Sequence, residues 1–178
     1  IKPFVYTFAI DHLGLTPCTM VPNLPVTIET ANGTAWSPKE AGKVEQNGEM
    51  HPLSWGLARS RNNYSAWIMK QAKQPQAVAN FIHNMGIHSY IDPVPALCLG
   101  TSESNVYEMV SAFSTFANEG VYTTPIFVTR IEDRQGNLIA SFAPRTQDAI
   151  SEHTAYTMLT MLEGVIRSGT GGRLGWAY

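Results

Sequence analysis

Three polar residues could carry the chemistry of this chain: Lys2, Ser60 and Asn62. A neutral lysine can take a proton from a hydroxyl group, a serine can relay that proton, and an asparagine can hold an amide through hydrogen bonds. Ser60 and Asn62 have the spacing Ser-x-Asn, the second element of an acyl-transfer signature whose other elements are Ser-x-x-Lys and Lys-Thr-Gly. Lys2 fits the last position of the first element. The pattern therefore predicts chemistry through a covalent serine ester.

The attacking serine itself is missing from the 178 residues. If Lys2 closes a Ser-x-x-Lys element, its serine stands two residues before Ile1, and no Lys-Thr-Gly follows the glycine-rich stretch from Gly169 to Gly172. We therefore expect an inactive fragment, truncated before the nucleophile and before the third element. The glycine-rich stretch lacks the Lys-Ser/Thr pair of a phosphate-binding loop, and we expect it to be a flexible connector.

Composition narrows the class of function. With 44% apolar and 15% charged residues, the chain is expected to form one soluble domain, and neither a membrane-spanning run nor a signal peptide is visible. A formal charge of −2, without blocks of one sign, argues against nucleic acid as a partner. The histidines include no metal-binding pair beside a glutamate, so we expect no metal and no cofactor. Cys18 and Cys98 could form one bridge or remain thiols.

The elements that must position these residues are predicted to be mainly helical. Apolar side chains recur at helical spacing in residues 2–13, from about 51 to 86, in residues 105–119 and from Ser151 to about Ser168. We expect residues 22–50 to form loops with a short strand, and residues 122–142 a β-hairpin that reverses at Asp133–Asn137. On the helix of residues 105–119 one apolar face is expected, formed by Val106, Met109, Val110, Phe113 and Phe116.

The Ser-x-Asn element is expected to lie in a turn between two helices, the second of which begins just after Asn63. Such a turn holds short polar side chains rigidly at the edge of a cleft. Serine and asparagine at a helix boundary are, however, more often caps than catalysts. The element by itself is therefore a weak signal, and its meaning depends on the rest of the chain.

Further segments resemble, in the same order, the class A penicillin-binding proteins, the enzymes that polymerise and cross-link peptidoglycan. The matching segments are Lys2–Tyr6, Leu97–Gly100, Tyr107–Val110, Phe113–Gly120, Ile131–Asn137 and Val165–Gly171. The ordered set is far more specific than any member. The resemblance implies that residues 1–178 are a partial transpeptidase domain. It would be the helical portion of that α+β fold, mainly α with a β-hairpin, and would lack most of the central antiparallel sheet.

The resemblance also implies roles and partners. The missing serine would attack the carbonyl between two D-alanines of a peptidoglycan stem peptide and later pass the acyl group to an amine of a neighbouring stem. Lys2 would be the base, Ser60 the proton relay and Asn62 the substrate-binding residue. The parent would also bind β-lactams, and it would be anchored to the inner membrane with this domain periplasmic or extracytoplasmic. A D,D-carboxypeptidase, a β-lactamase and a non-catalytic β-lactam sensor or interaction domain remain alternatives.

Two expectations concern the chain by itself. Lys2 is one residue from the first residue, so we expect a solvated ammonium group rather than a buried base. In this family a sheet covers the helices, and we expect most of it to be absent here. Apolar faces on the helices that bear Phe4 and Phe8, Val106 to Phe116 and Ala155 to Ile166 would then be exposed, so self-association is expected.

Overall fold

The computed structural model describes residues 1–30, 33–42 and 44–176. Helix is the main regular secondary structure, as the apolar spacing predicts. Within the described residues the helices are α1 (Lys2–Leu13), α2 (Leu53–Ala58), α3 (Asn62–Ala72), α4 (Pro75–Asn84), α5 (Val106–Ala117) and α6 (Glu152–Ser168). Two short 3-10 helices, Pro95–Leu99 and Leu174–Trp176, follow α4 and α6.

Short strands pair two by two, and no larger sheet joins them in the part of the chain that the structure describes. The antiparallel pairs are β1 (Met20–Pro22) with β4 (Met50–Pro52), β2 (Ile28–Glu29) with β3 (Ala35–Trp36), β5 (Val121–Thr123) with β8 (Thr146–Asp148), and β6 (Arg130–Glu132) with β7 (Leu138–Ser141). The predicted fold class is therefore confirmed: helices dominate, and the strands form small pairs.

Helix α1 is the centre of the core. Every residue from Phe4 to Ala9 is buried, on all sides of the helix, because α2, α3, α4 and α6 pack around it. A helix enclosed in this way is apolar all round rather than along one stripe. Its Pro3 lies in the first turn, where the missing N–H group costs little, and Gly14 ends it with a left-handed φ of 64°. No helix of the described ranges is long and apolar enough to cross a membrane.

Contacts at both ends of α1 fix its neighbours. Near the N-terminal end, the Phe4 ring lies 5.2 Å from that of Phe113 and 5.8 Å from that of Phe116, both on α5. Near the C-terminal end, Thr154 at the start of α6 donates a 2.8 Å hydrogen bond to Asp11. Ser151 caps α6 by accepting the Thr154 N–H group, as its position before the apolar run predicts.

The hairpin is shorter than the sequence predicts. Strand pairing starts only at Arg130, and Asp133 stabilises the reversal by accepting hydrogen bonds from the backbone N–H groups of Gln135 and Asn137. Pro125 lies between β5 and β6 and has no N–H group to donate. Of the alternating residues before Arg130, Thr129 still contacts the hairpin, because its carbonyl oxygen accepts the N–H group of Phe142 at 2.9 Å. The segment before Pro125 instead pairs with β8.

The predicted apolar face of α5 is only partly right. Val106 and Val110 are 79% and 60% exposed. The buried side of this helix is centred on Ala112 and Phe116, and the polar residues Ser111 and Thr115 lie beside them. The prediction was wrong for the two valines because apolar spacing defines a stripe, whereas the neighbouring elements decide which part of that stripe is covered.

The glycine-rich stretch packs against the protein instead of forming a free connector. The N–H group of Thr170 donates a 3.0 Å hydrogen bond to the carbonyl oxygen of Ala58 at the end of α2. A Cβ atom on Gly169 would lie 2.2 Å from that same oxygen, so only glycine allows this approach. The expectation of a flexible connector was wrong, because composition does not show which backbone a glycine must approach.

Gly169→Ala should destabilise the fold by about 1–3 kcal/mol, because backbone atoms on both sides cannot make room for a methyl group. Gly164→Ala is the matched control: Gly164 lies inside α6 with no atom within 4 Å of an added Cβ. That change should stabilise the chain by up to about 1 kcal/mol, since alanine favours the helix. Urea unfolding followed by circular dichroism measures both, and equal effects would contradict the close packing at Gly169.

Self-association remains a prediction, with a narrower surface than the sequence suggested, because Phe4, Phe8 and Ala155 are all buried. The exposed apolar surface includes Val106 and Val110 on α5 and the 86% exposed Phe127, whose ring lies 5.8 Å from that of Tyr107. We expect concentration-dependent association by sedimentation velocity, weakened by Val110→Lys but not by Tyr156→Lys on α6. A monomer at every concentration would contradict this expectation.

Candidate active site

The structure brings Lys2, Ser60 and Asn62 together. The amine Nζ of Lys2, at the first residue of α1, donates to the carbonyl oxygen of Ser60 at 2.5 Å and to Oδ1 of Asn62 at 2.7 Å. It also lies 3.1 Å from Oγ of Ser60. Lys2 is thus within hydrogen-bond distance of two residues that lie 58 and 60 positions further along the chain.

Ser60 lies in the turn between α2 and α3. Its φ of 52° is left-handed, which is uncommon for a residue other than glycine and costs about 1–2 kcal/mol. The turn is closed by hydrogen bonds from the N–H group of Ser60 to Leu57 and from that of Arg61 to Gly56, both at 2.9 Å. This backbone places the carbonyl and the hydroxyl group of Ser60 on the same side, where both contact Lys2.

Asn62 is held at both ends of its amide. Its Oδ1 accepts from Lys2, and its Nδ2 donates a 2.7 Å hydrogen bond to the carbonyl oxygen of Lys39. Helix α3 begins at Asn62 itself, slightly earlier than the sequence suggested, because the extended backbone of Arg61 ends the turn there. The side chain therefore leaves the first residue of the helix and points along a fixed direction.

Sequence reasoning missed Glu40. Its carboxylate accepts the N–H group of Asn63 at 2.8 Å and that of Asn62 at 3.2 Å, so it caps α3 from a distant loop. Capping side chains are normally found within a few residues of the helix start, so the sequence pattern of a cap is local. Glu40 precedes the helix by 22 residues, so no local signal indicates it.

Arg61 extends the polar cluster behind the turn. Its guanidinium group donates to Asn23 at 2.9 Å and lies 5.6 Å from the ring centroid of Trp55, while its Nε is 3.8 Å from the Glu40 carboxylate. Asn63 donates to the same oxygen of Asn23 at 3.1 Å. A buried charge is stable only when paired and hydrogen-bonded. The Glu40 carboxylate pairs with the charge of Arg61, and Asn23 accepts from its guanidinium group, while Nε has no hydrogen-bond partner among the described residues.

The amine of Lys2 is half-buried, so the expectation of a solvated ammonium group was wrong. Burial lowers the pKa of Lys2 below its ordinary value of 10.5, and the positive charge of Arg61 lowers it further, while Glu40 and Cys98 raise it. The physical reason is that Lys2, at the start of α1, packs against the turn that contains Ser60. The first residues of a chain are solvated only when nothing packs on them.

The two cysteines are separate thiols, exposed at Cys18 and buried at Cys98. Burial raises the pKa of Cys98 to about 12, although the nearby Lys2 lowers it in part. The Cys98 thiol therefore stays neutral near neutral pH and presents no competing nucleophile beside the lysine.

The cluster suits a lysine that changes its protonation state. A neutral amine has two N–H donors and one lone pair. The Ser60 carbonyl and Asn62 Oδ1 are two acceptors that stay in place for these donors, and the hydroxyl group of Ser60 can donate to the lone pair at 3.1 Å. The three contacts are thus satisfied whether Lys2 is charged or neutral. A proton can pass between Lys2 and Ser60 without rearrangement of the backbone.

Comparison with known families identifies relatives. Residues 96–177 match the family model of the penicillin binding protein transpeptidase domain. Penicillin-binding protein 1A of Neisseria meningitidis is 30% identical over 177 residues, which is 95% of this chain and 22% of that relative. The chain thus spans about a fifth of the length of this curated relative.

Solved structures share the fold. The crystal structure of penicillin-binding protein 1A from Haemophilus influenzae is similar with a TM-score of 0.81 at 23% identity, over 96% of this chain and 30% of that one. The PonA1 protein of Mycobacterium tuberculosis, solved in complex with penicillin V, has a TM-score of 0.73 at 23% identity, over 93% of this chain and 46% of that one. At this identity the likeness shows a common fold.

Lys2 should titrate below its ordinary pKa of 10.5, because burial opposes its charge. NMR of ¹³Cε-labelled lysine measures the midpoint, with the Lys2 resonance assigned by its loss in Lys2→Met. The urea-unfolded chain is the control, where the midpoint should return to the ordinary value. Between the two pKa values the unfolded amine holds a proton that the folded amine has lost, so this group makes the unfolding free energy rise with pH. A folded midpoint at or above the ordinary value would contradict the burial.

Proposed function

We propose that this chain belongs to the penicillin-binding protein transpeptidase family and supplies the proton-transfer part of a D,D-transpeptidase site. The supporting observation is the contact of the Lys2 amine with Ser60 and Asn62 at 2.5 to 3.1 Å. In the complete enzyme the nucleophile is a serine two residues before Ile1. That serine and Lys2 are then at i and i+3, so both side chains lie on one face of an extended α1.

Acylation begins when neutral Lys2 takes the proton of the serine hydroxyl group. The serine oxygen then bonds to the carbonyl carbon between two D-alanines of a stem peptide, and the C–N bond of that amide breaks. The leaving nitrogen needs a proton, which Lys2 returns through the hydroxyl group of Ser60, 3.1 Å from its amine. D-alanine leaves as a neutral amine, and the stem peptide stays on the enzyme as a serine ester.

The acyl group is then transferred to the amine of a neighbouring stem. That amine attacks the ester carbonyl and loses a proton to the same lysine, and the serine oxygen recovers a proton as it leaves. The product is a peptide cross-link, and the site returns to its starting protonation state. β-Lactams bind because their strained amide occupies the place of the stem-peptide amide and acylates the same serine. The penicillin V complex of the similar PonA1 protein supports this proposal.

Asn62 positions Lys2 in this scheme. Its amide oxygen accepts from the amine at 2.7 Å, and its amide nitrogen is engaged by the Lys39 carbonyl oxygen. Both ends of the Asn62 amide are bound to protein. Its first role is therefore to orient the lysine, and contact with a substrate comes second. A fixed acceptor at this place also keeps the lone pair of the neutral amine directed away from Asn62.

The base must be neutral for part of the time near neutral pH. This requires a lysine pKa below its ordinary value. Burial and the charge of Arg61 act in this direction on Lys2. The lysine of the Lys-Thr-Gly element would add a second positive charge in the complete enzyme. Peptidoglycan lies outside the cytoplasmic membrane, so we propose an extracytoplasmic location for the domain.

In the complete enzyme, Lys2→Ala should slow acylation by fluorescent penicillin by about 10²–10⁴-fold, the usual contribution of a general base. Asn62→Ala should reduce the rate less, since the lysine keeps its hydrogen bonds to Ser60. Lys70→Ala, on the exposed side of α3, is the control and should acylate normally. Stopped-flow fluorescence gives the rates, and circular dichroism verifies the fold. Acylation of Lys2→Ala at the unchanged rate would refute the proposal.

The 178-residue chain by itself should form no covalent adduct with penicillin, because it contains no serine three positions before Lys2. Intact-mass spectrometry after incubation measures this directly. An adduct on Ser60 would show that this serine is a nucleophile rather than a relay.

A further inference from the structure

We propose that Glu40 is the positioning residue of this site: its carboxylate fixes the first turn of α3 and thereby holds Asn62 against the amine of Lys2. This inference deepens the proposed function and rests on it for its meaning in catalysis. That Glu40 holds Asn62 against Lys2 depends only on contacts between residues that the structure describes.

The start of α3 depends on Glu40. The first N–H groups of a helix have no partner within the helix, and the residue at the N-cap normally accepts one of them. Here the N-cap is Arg61, which makes no capping hydrogen bond with its side chain. The Glu40 carboxylate takes this role for the N–H groups of Asn62 and Asn63, at 3.2 and 2.8 Å. A negative charge at this end also favours the helix dipole.

The segment of Lys39 and Glu40 holds Asn62 at two places. The Glu40 carboxylate accepts its backbone N–H group, and the Lys39 carbonyl oxygen accepts from its side-chain Nδ2 at 2.7 Å. With the nitrogen turned towards Lys39, the amide oxygen must face Lys2. The opposite amide orientation would place N–H donors against the amine of Lys2, which can only donate when it is charged. This segment therefore selects the orientation that binds Lys2.

The charge of Glu40 has a second effect. Its side chain is 9% exposed and that of Arg61 is 6% exposed, with 3.8 Å between Arg61 Nε and the carboxylate. Without Glu40, Arg61 would remain a buried cation close to Lys2 with no carboxylate beside it. Of the groups that act on the charge of Lys2, Glu40 and Cys98 favour its ammonium form, and Arg61 opposes it. Glu40 holds the geometry and at the same time moderates the effect of burial.

Three variants of this chain test the proposal. Glu40→Gln keeps the shape and removes the charge, Glu40→Ala removes both, and Glu45→Gln on the same loop is the control, since that side chain is exposed. The measurements are the titration of Lys2 by ¹³Cε NMR, the side-chain amide resonances of Asn62, and the melting temperature. The first two report on Lys2 and Asn62 themselves, so a residue that only stabilised the fold would not change them.

Glu40→Gln should lower the pKa of Lys2 further, because a carboxylate that favours its charge is gone. Glu40→Ala should in addition shift the Asn62 side-chain amide towards the position of a solvated asparagine, and both variants should melt earlier. Glu45→Gln should match the wild type. If both Glu40 variants leave the Lys2 titration and the Asn62 amide unchanged and only the melting temperature falls, Glu40 is merely a helix cap and the proposal is wrong.

If Glu40→Ala does not fold, the isosteric Glu40→Gln decides, through the Lys2 titration. None of these measurements requires acyl transfer. Unchanged acylation in the Lys2→Ala enzyme would therefore refute the proposed function and leave the positioning role of Glu40 intact. Unchanged Lys2 and Asn62 signals in the Glu40 variants would instead refute the positioning role and leave the proposed function intact.

Discussion

The burial of α1 from Phe4 to Ala9, on all sides of the helix, is the constraint on which the rest of the structure depends. A helix that is apolar on every side must be enclosed, and α2, α3, α4 and α6 enclose it. Because its neighbours hold α1 from all directions, its first residue has one position and one direction. Lys2 therefore meets the Ser60 turn without any need for a contact close in sequence, and the site depends on the hydrophobic core.

Close approach of backbones makes this enclosure possible. A Cβ atom on Gly56 would lie 2.3 Å from the Tyr64 ring, so glycine lets α2 and α3 pack tightly on either side of the turn. Gly169 does the same where the end of α6 meets Ala58. The left-handed Ser60 between them costs free energy, and it persists because the surrounding contacts determine the backbone. Strain of this kind at a turn that carries polar side chains is typical of functional sites.

Opposing charges set the character of the lysine. Burial and Arg61 favour a neutral amine, whereas Glu40 favours an ammonium group, so the pKa of Lys2 depends on a balance rather than on one strong interaction. Hydrogen bonds join Glu40, Arg61, Asn23 and Asn63 into a polar network behind the turn, in which Arg61 Nε and Asn63 Oδ1 have no hydrogen-bond partner among the described residues. A hydrogen-bonded polar layer and a half-buried base together give a site that is ordered before any substrate arrives.

The sequence by itself determined the helices around Phe4, Tyr64 and Ala155 and the hairpin reversal at Asp133, because apolar spacing and local capping are patterns of neighbouring residues. The order of the motifs along the chain predicted the fold class and the meeting of Lys2 with Ser60 and Asn62, although the hydrogen bonds between them span 58 and 60 positions. Only the tertiary structure decided that Lys2 is half-buried, that Val106 and Val110 face outward, that Gly169 is packed, and that Glu40 caps α3. Each of these depends on atoms far apart in sequence. Burial and long-range hydrogen bonds are properties of the assembled core, and no local pattern encodes them.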